Sequence, residues 1–388
     1  MKKKFLLACL ISAVFAAPAG AWELWDQFKA TNLTPEGRVV DYSEAKLITT
    51  SEGQSYGMFF ALVANDKKAF DEMFAWTEKN LGENQPAWLW GIPDGTPNGT
   101  GKILDTNNAT DSDMWIAYCL IEAARIWNDP SYLPKADGYL AKLKELVRDV
   151  PTVGKVILPG RVGFEEKGVI TINPSYYPPH ILRRFADYDP YWLPVLEGSI
   201  NAMVRCSPSG VAPDWAKFDA QGRLVDPQKM EGSYNAIRTY LWSGILSPKD
   251  QNYEVLMRQY EPMINLVKAT NIPPEKVNIG DMTVNNRQVN AFGACFLPYV
   301  AADKAGAVIR TVLTTTEMKG DNYYRNVLTV FGLGFDNRAY AFDEKGRLIL
   351  PQQQTIRDIL EAGAISLITR ETVLTRTLES ILGAQRQV

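Results

Sequence analysis

An all-α toroid of paired helices is the fold this sequence predicts, and three features carry the prediction. Apolar residues recur at helical spacing in one segment after another between residues 51 and 331. Most of those segments are joined by short connections, which makes successive helices pack as antiparallel neighbours. No Pro-, Ser- or Gly-rich linker interrupts the chain, so residues 22–350 read as one large domain. Periodicity alone fits an irregular helical bundle equally well.

Residues 1–21 have the layout of an export signal. Met1-Lys2-Lys3-Lys4 is basic, an apolar run extends from Phe5 to Ala17, and Ala19-Gly20-Ala21 is a small-x-small cleavage site. Cleavage after Ala21 predicts a periplasmic or secreted protein. The apolar run is shorter than the roughly 20 residues of a spanning helix, so no membrane span is expected.

The first helix is predicted over 51–64, with Ser51 and Gln54 as a capping box and Tyr56, Phe59, Phe60 and Val63 on one face. A second covers 67–81, where Phe70, Met73, Phe74 and Leu81 repeat the pattern. Residues 82–108 form a loop rich in Gly, Pro and Asn, long enough to suggest a functional task. The helix at 111–127 follows, capped by Thr110, and another covers 132–147. Residues 156–172, with β-branched side chains around glycines, predict a small irregular β-hairpin insertion. Further helices are expected at 178–188, 191–205, 229–244, 253–269, 288–301, 304–315 and 323–331. Residues 351–388 read as a helical extension whose stripe of Ile356, Leu360, Leu367, Leu374, Leu378 and Ile381 suits packing on the main domain or docking of a partner.

Composition narrows the function. Lys and Arg number 41 against 44 Asp and Glu, and loss of Lys2, Lys3 and Lys4 leaves the mature chain more acidic still, which argues against nucleic acid as a partner. Cys119, Cys206 and Cys295 lack any Cys-x-x-Cys spacing and suit buried free thiols. His180 is the single histidine, which disfavours chemistry built on a histidine base and a histidine-rich metal site. The 10 Trp and 17 Tyr suit stacking on sugar rings, although aromatic residues fill cores as readily.

Metal-free glycoside hydrolysis needs two carboxyl groups, one to protonate the leaving oxygen and one to activate water or attack carbon. Glu52 lies in Ser51-Glu52-Gly53-Gln54-Ser55-Tyr56-Gly57-Met58, where small glycines would let a substrate come close. Spacing by itself favours an ordinary first-turn glutamate, placed there by the helix dipole. Asp111 and Asp113 open the next strong helix in Ala109-Thr110-Asp111-Ser112-Asp113, after a loop holding Trp88 and Trp90. Asp113 suits plain capping, and Asp111 suits capping and ligand contact about equally.

These residues resemble the two signatures of glycoside hydrolase family 8, with Ser112 and Cys119 as minor departures. The likeness extends through Pro86-Ala87-Trp88-Leu89-Trp90-Gly91, Leu158-Pro159-Gly160, Asn173-Pro174-Ser175-Tyr176, Pro213-Asp214-Trp215, Pro273-Pro274-Glu275-Lys276-Val277 and Tyr323-Tyr324. It is similar to the branch of that family associated with bacterial cellulose synthesis. The resemblance implies an (α/α)6 barrel, inversion at the anomeric carbon, β-1,4-glucan chains as substrate, a cellulose synthase complex as partner and no cofactor or metal. It further implies Glu52 as proton donor, Asp111 as an essential aspartate, and Trp90, Tyr176 and Arg238 as sugar-binding or orienting groups. Trp115, Tyr324, Trp215 and Trp242 are further aromatic candidates, each also suited to the core.

One departure bears on the chemistry. Where the family carries its general base in Tyr-Asp-Ala-x-Arg, this chain reads Tyr234-Asn235-Ala236-Ile237-Arg238. An amide is not basic enough to take a proton from water. Three readings stay open: a base supplied by another carboxylate, a glucan-binding accessory with impaired catalysis, or a substitution introduced to trap substrate. Glu231, one helical turn before Asn235 on the predicted helix, Asp214 and Asp219 are the candidate replacements. Chitosan and xylan are the other β-1,4 polymers the site could hydrolyse.

Overall fold

The computed structural model describes residues 22–97 and 99–351. The expected export signal and the apolar stripe of the expected C-terminal helical extension lie outside the described residues. Ala19–Leu348 makes up one compact unit.

Among the described residues, twelve helices alternate between two environments. In chain order they are α1 (Glu23–Asn32), α2 (Ser51–Val63), α3 (Lys67–Leu81), α4 (Thr110–Ile126), α5 (Leu133–Glu145) and α6 (Pro179–Tyr188). There follow α7 (Leu193–Arg205), α8 (Ala236–Gly244), α9 (Tyr253–Thr270), α10 (Asn290–Val300), α11 (Lys304–Thr315) and α12 (Tyr323–Asp336). The even-numbered helices are largely buried, as their apolar, small-residue sequences require; every residue of α2 except Glu52 is buried, and so is every residue of α8. Odd-numbered helices bury one stripe, for example Ala69, Phe70, Met73, Phe74, Thr77 and Leu81 of α3.

Packing closes the inner helices into a ring. Helix α2 packs on α4, α4 on α6, α6 on α8, α8 on α10, α10 on α12, and α12 returns to α2. Each odd helix covers an even neighbour from outside: α1 on α12, α3 on α2, α5 on α4, α7 on α6, α9 on α8 and α11 on α10. Six inner and six outer helices make this an (α/α)6 barrel. Its centre is filled by interlocked rings of Tyr56, Phe59, Trp115, Trp242 and Phe331, with centroids 4.9 Å apart for Trp242 and Phe331 and 5.0 Å for Phe59 and Trp115.

Short strands occupy the connections that lead into inner helices. Strands β1 (Thr49–Thr50), β2 (Leu89–Gly91) and β3 (Lys102–Asp105) form one antiparallel sheet, so the 82–108 loop is partly ordered as strand. The expected 156–172 hairpin resolves into two others. Strand β4 (Val147–Val150) pairs with β5 (Gly154–Ile157), while β6 (Glu165–Glu166), β7 (Val169–Ile172) and β8 (Ala216–Phe218) form a three-stranded sheet. A fourth sheet joins β9 (Glu231–Gly232), β10 (Pro274–Asn278) and β11 (Val284–Arg287).

Three local expectations are corrected. Helix α2 is capped by Thr50, whose hydroxyl accepts the Gly53 N–H at 3.0 Å, and Gln54 turns inward to bond Val39, Gly37, Met73 and Thr77. Thr110 is the first residue of α4 rather than its cap, and its hydroxyl donates to the Leu158 carbonyl at 2.8 Å. The helix expected over 229–244 starts only at Ala236, because Gly232 packs where a Cβ would lie 2.2 Å from the Ala212 carbonyl and residues 231–232 are drawn into a sheet. Among the described residues no helix is long and apolar enough to cross a membrane.

Candidate active site

Residues at the N-terminal ends of α2, α4, α8 and α12 converge at one mouth of the barrel. Glu52 is the second residue of α2, Asp111 the second of α4, Asn235 immediately precedes α8, and Tyr323 opens α12. Four helix N-termini thus bring their positive ends to one place, an arrangement suited to holding carboxylates.

Arg238 joins the cluster from the first turn of α8. Its Nη1 donates to Glu52 Oε2 at 2.5 Å, to Asp111 Oδ2 at 3.2 Å and to the Tyr56 hydroxyl at 3.2 Å. Nη2 donates to Asn235 Oδ1 at 2.8 Å. The guanidinium is only 4% exposed, and this depth is tolerable because two carboxylates face it. Glu52 keeps 21% of its side chain exposed and also accepts the Tyr323 hydroxyl at 3.0 Å. It is therefore the one side chain of α2 offered toward solvent.

Asp111 is 2% exposed and sits directly above the aromatic core. Burial pushes its pKa up to about 6, against the opposing pull of Arg238, and the nearby Glu52 charge adds to the rise. One of its oxygens accepts the Ser112 N–H at 2.8 Å. Asp113 is also buried, holds Asn108 at 2.7 Å, and has its pKa pushed well above the ordinary carboxylate range by burial. Burial likewise lowers the pKa of His180 to about 3, leaving that ring neutral in ordinary buffers.

Asn235 is held at its side-chain oxygen and at its backbone. Its Oδ1 accepts from Arg238 and, at 3.0 Å, from Asn173 Nδ2, while its backbone N–H donates to Asp214 Oδ1 at 2.9 Å. Asp214 Oδ1 also takes the N–H groups of Ser233 at 2.9 Å and Ala236 at 2.7 Å, which caps the start of α8.

Aromatic residues surround the cluster. The Tyr176 ring lies 5.8 Å from the Arg238 guanidinium carbon and 6.2 Å from Trp215, which is stacked at 5.8 Å on Phe164. Tyr324 donates its hydroxyl to the Tyr234 carbonyl, and the two rings are 6.2 Å apart. Trp90 is placed by register: Thr49 pairs with Trp90 in the sheet that runs directly into α2. Arg38 packs 4.4 Å from the Trp90 ring centre, and a Cβ on Gly101 would overlap that ring.

The structure thus brings together Glu52, Asp111, Asn235, Arg238 and Tyr176, with Tyr324 close by and Trp90 tied to Glu52 through the sheet. Glu231 is not brought in: it lies exposed on β9, its carboxylate 2.6 Å from Lys276. Trp115 and Trp242 are buried in the central aromatic cluster and present no face to solvent. Asp219 closes its own turn with Arg223 at 2.7 Å. Gly53 and Gly57 serve packing rather than substrate approach, since a Cβ would meet Tyr323 at 3.2 Å in one case and Met73 at 2.7 Å in the other. Sequence reasoning missed Asn173, Tyr323 and Tyr56 as site residues. All three lay within motifs already noted, but no spacing rule ties them to Asn235, Glu52 or Arg238.

Comparison with known proteins is consistent across sequence and structure. The model of "Glycosyl hydrolases family 8" matches residues 1–338, and that of the "Hydrogen maturase F dimerization domain" matches residues 336–388. An endoglucanase of Salmonella typhi is 38% identical over 348 residues, covering 88% of this chain and 94% of that protein. An endoglucanase of Escherichia coli strain K12 is 36% identical over 353 residues, covering 89% of this chain and 95% of that protein. The crystal structure of an endo-1,4-D-glucanase from Vibrio fischeri ES114 superposes with a TM-score of 0.78 at 37% identity, over 85% of this chain and 99% of that one.

Proposed function

The chain belongs to glycosyl hydrolases family 8, and on that premise we propose that it is an inverting endo-β-1,4-glucanase acting on cellulose-type glucan during bacterial cellulose synthesis and export. The observation that carries this reading is the pair of carboxyl groups, Glu52 and Asp111, held on one nitrogen of Arg238 at the barrel mouth. Glu52, partly exposed at the barrel mouth, gives its proton to the leaving glycosidic oxygen. Asp111, held by Arg238 and nearly dry, orients the distorted sugar and stabilises positive charge as it develops at the anomeric carbon. Trp90, Tyr176 and Tyr324 supply faces on which successive glucose rings rest, with Trp215 extending the row. The export signal and the likeness to the cellulose-synthesis branch support a periplasmic site of action beside the synthase.

A second reading is a glucan-binding accessory that has lost turnover. Asn235 favours it, because an amide stands where the family keeps its base. Reducing-end release from soluble carboxymethyl-cellulose, chitosan and xylan separates the readings. The glucanase reading expects release from carboxymethyl-cellulose well above the other two polymers. Binding of cellopentaose without release from any polymer supports the accessory, and preference for chitosan or xylan reassigns the substrate.

A further inference from the structure

We propose that Asp214 is the general base of this site, taking over from the position occupied by Asn235; the inference rests on the glucanase reading above. A base must be a carboxylate near residue 235 that leaves room for a water opposite Glu52. Asp111 fails on distance. Its bond and that of Glu52 to the one Nη1 put the two oxygens at most about 5.7 Å apart, short of the roughly 6.5–9.5 Å an inverting pair keeps open for water. Glu231 is engaged with Lys276 on the outer strand, and Asp219 with Arg223 in its own turn.

Asp214 is in direct contact with the right residue. One oxygen, Oδ1, accepts the backbone N–H groups of Ser233, Asn235 and Ala236. The other, Oδ2, accepts no hydrogen bond from any described residue, so the cap uses half of the carboxylate and leaves half for chemistry. The side chain is half-buried, and the next residue, Trp215, is 38% exposed in the aromatic row with Tyr176. Asn235 fits as a partner. Arg238 can only donate, so Oδ1 of Asn235 must face it, and Asn173 takes the same oxygen. The Nδ2 group is then left to hold a water by donating to its oxygen. In the reaction the water oxygen bonds to the anomeric carbon and one water proton passes to Asp214 Oδ2. The glycosidic C–O bond breaks, and the leaving oxygen takes the proton of Glu52.

The test is steady-state hydrolysis of cellopentaose by the wild type, Asp214→Asn and the double variant Asp214→Asn/Asn235→Asp. An amide oxygen still accepts the three N–H groups, so Asp214→Asn keeps the cap while removing the base. The expected result is a kcat lowered about 10²-fold or more, with KM within a few-fold, and turnover restored in the double variant. Sodium azide added to Asp214→Ala should likewise restore turnover, with a glycosyl azide as product. A kcat for Asp214→Asn within about threefold of wild type would overturn the assignment, as would a double variant that stays as slow as the single one. Absence of turnover in the wild type marks failure of the glucanase reading itself, and the base assignment falls with it.

Discussion

Arg238 sets what the individual residues of the site can do, since it touches both carboxylates, Tyr56 and Asn235 from a nearly dry position. Asp111, with its pKa raised to about 6, is the group whose ionisation changes within the working range. Its negative form is the one that aligns on Arg238, so kcat/KM for cellopentaose is expected to fall as pH drops through about 6. Stability runs the other way. A carboxyl whose folded pKa lies above its ordinary value binds its proton more tightly in the folded state, so stability is lost as pH rises through about 6. Asp111→Asn should therefore abolish most activity, and its stability relative to wild type should improve as pH rises from about 4 to 8, read by urea unfolding. Glu231→Gln is expected to leave kcat unchanged, because that carboxylate pairs with Lys276 at the surface. Glu52, Asp111 and Arg238 were legible in the sequence because short motifs carry them. Glu231 was misplaced because helical spacing was extended back through Gly232, a residue whose backbone approach to Ala212 ends the helix.

At the scale of elements, the inner helices were the most legible parts. Their apolar residues run on every side, and among the outer helices α3 and α11 match their expected bounds of 67–81 and 304–315. Helix α1 was not read, nor were the small sheets apart from the hairpin expected over 156–172. Strands of two to five residues carry too little alternation to register, and their pairing is made by partners far along the chain, as when Ile170 meets Phe218. Cap assignments failed for a related reason: Ser51 and Thr110 look like caps locally, but tertiary partners decide where each helix starts. Close packing between elements gives a second stability prediction. Gly332 of α12 lies against α10 so tightly that a Cβ would sit 2.3 Å from the Ala294 carbonyl. Gly332→Ala should force the two helices apart and cost about 1–3 kcal/mol, read from the urea midpoint.

Over the whole molecule, a closed ring of helices makes the site a property of the barrel rather than of any segment. Glu52, Asp111, Asn235 and Tyr323 come from four inner helices or their immediate starts, and only ring closure brings residues 52 and 323 within a hydrogen bond. The paired helices were legible from periodicity and short connections; their number and the closure into a ring came from family resemblance, because periodicity says nothing about which helix meets which. The same closure buries Cys119, Cys206 and Cys295 as free thiols. A thiol reagent is expected to leave these three unmodified in the native protein and to label them in step with global unfolding. The most direct test of the central claim is reducing-end release from cellopentaose by wild type beside Glu52→Gln. Turnover in the wild type that falls at least about 10²-fold in the variant, with cellopentaose still bound, is the expected result. Equal turnover in the two proteins would contradict the account.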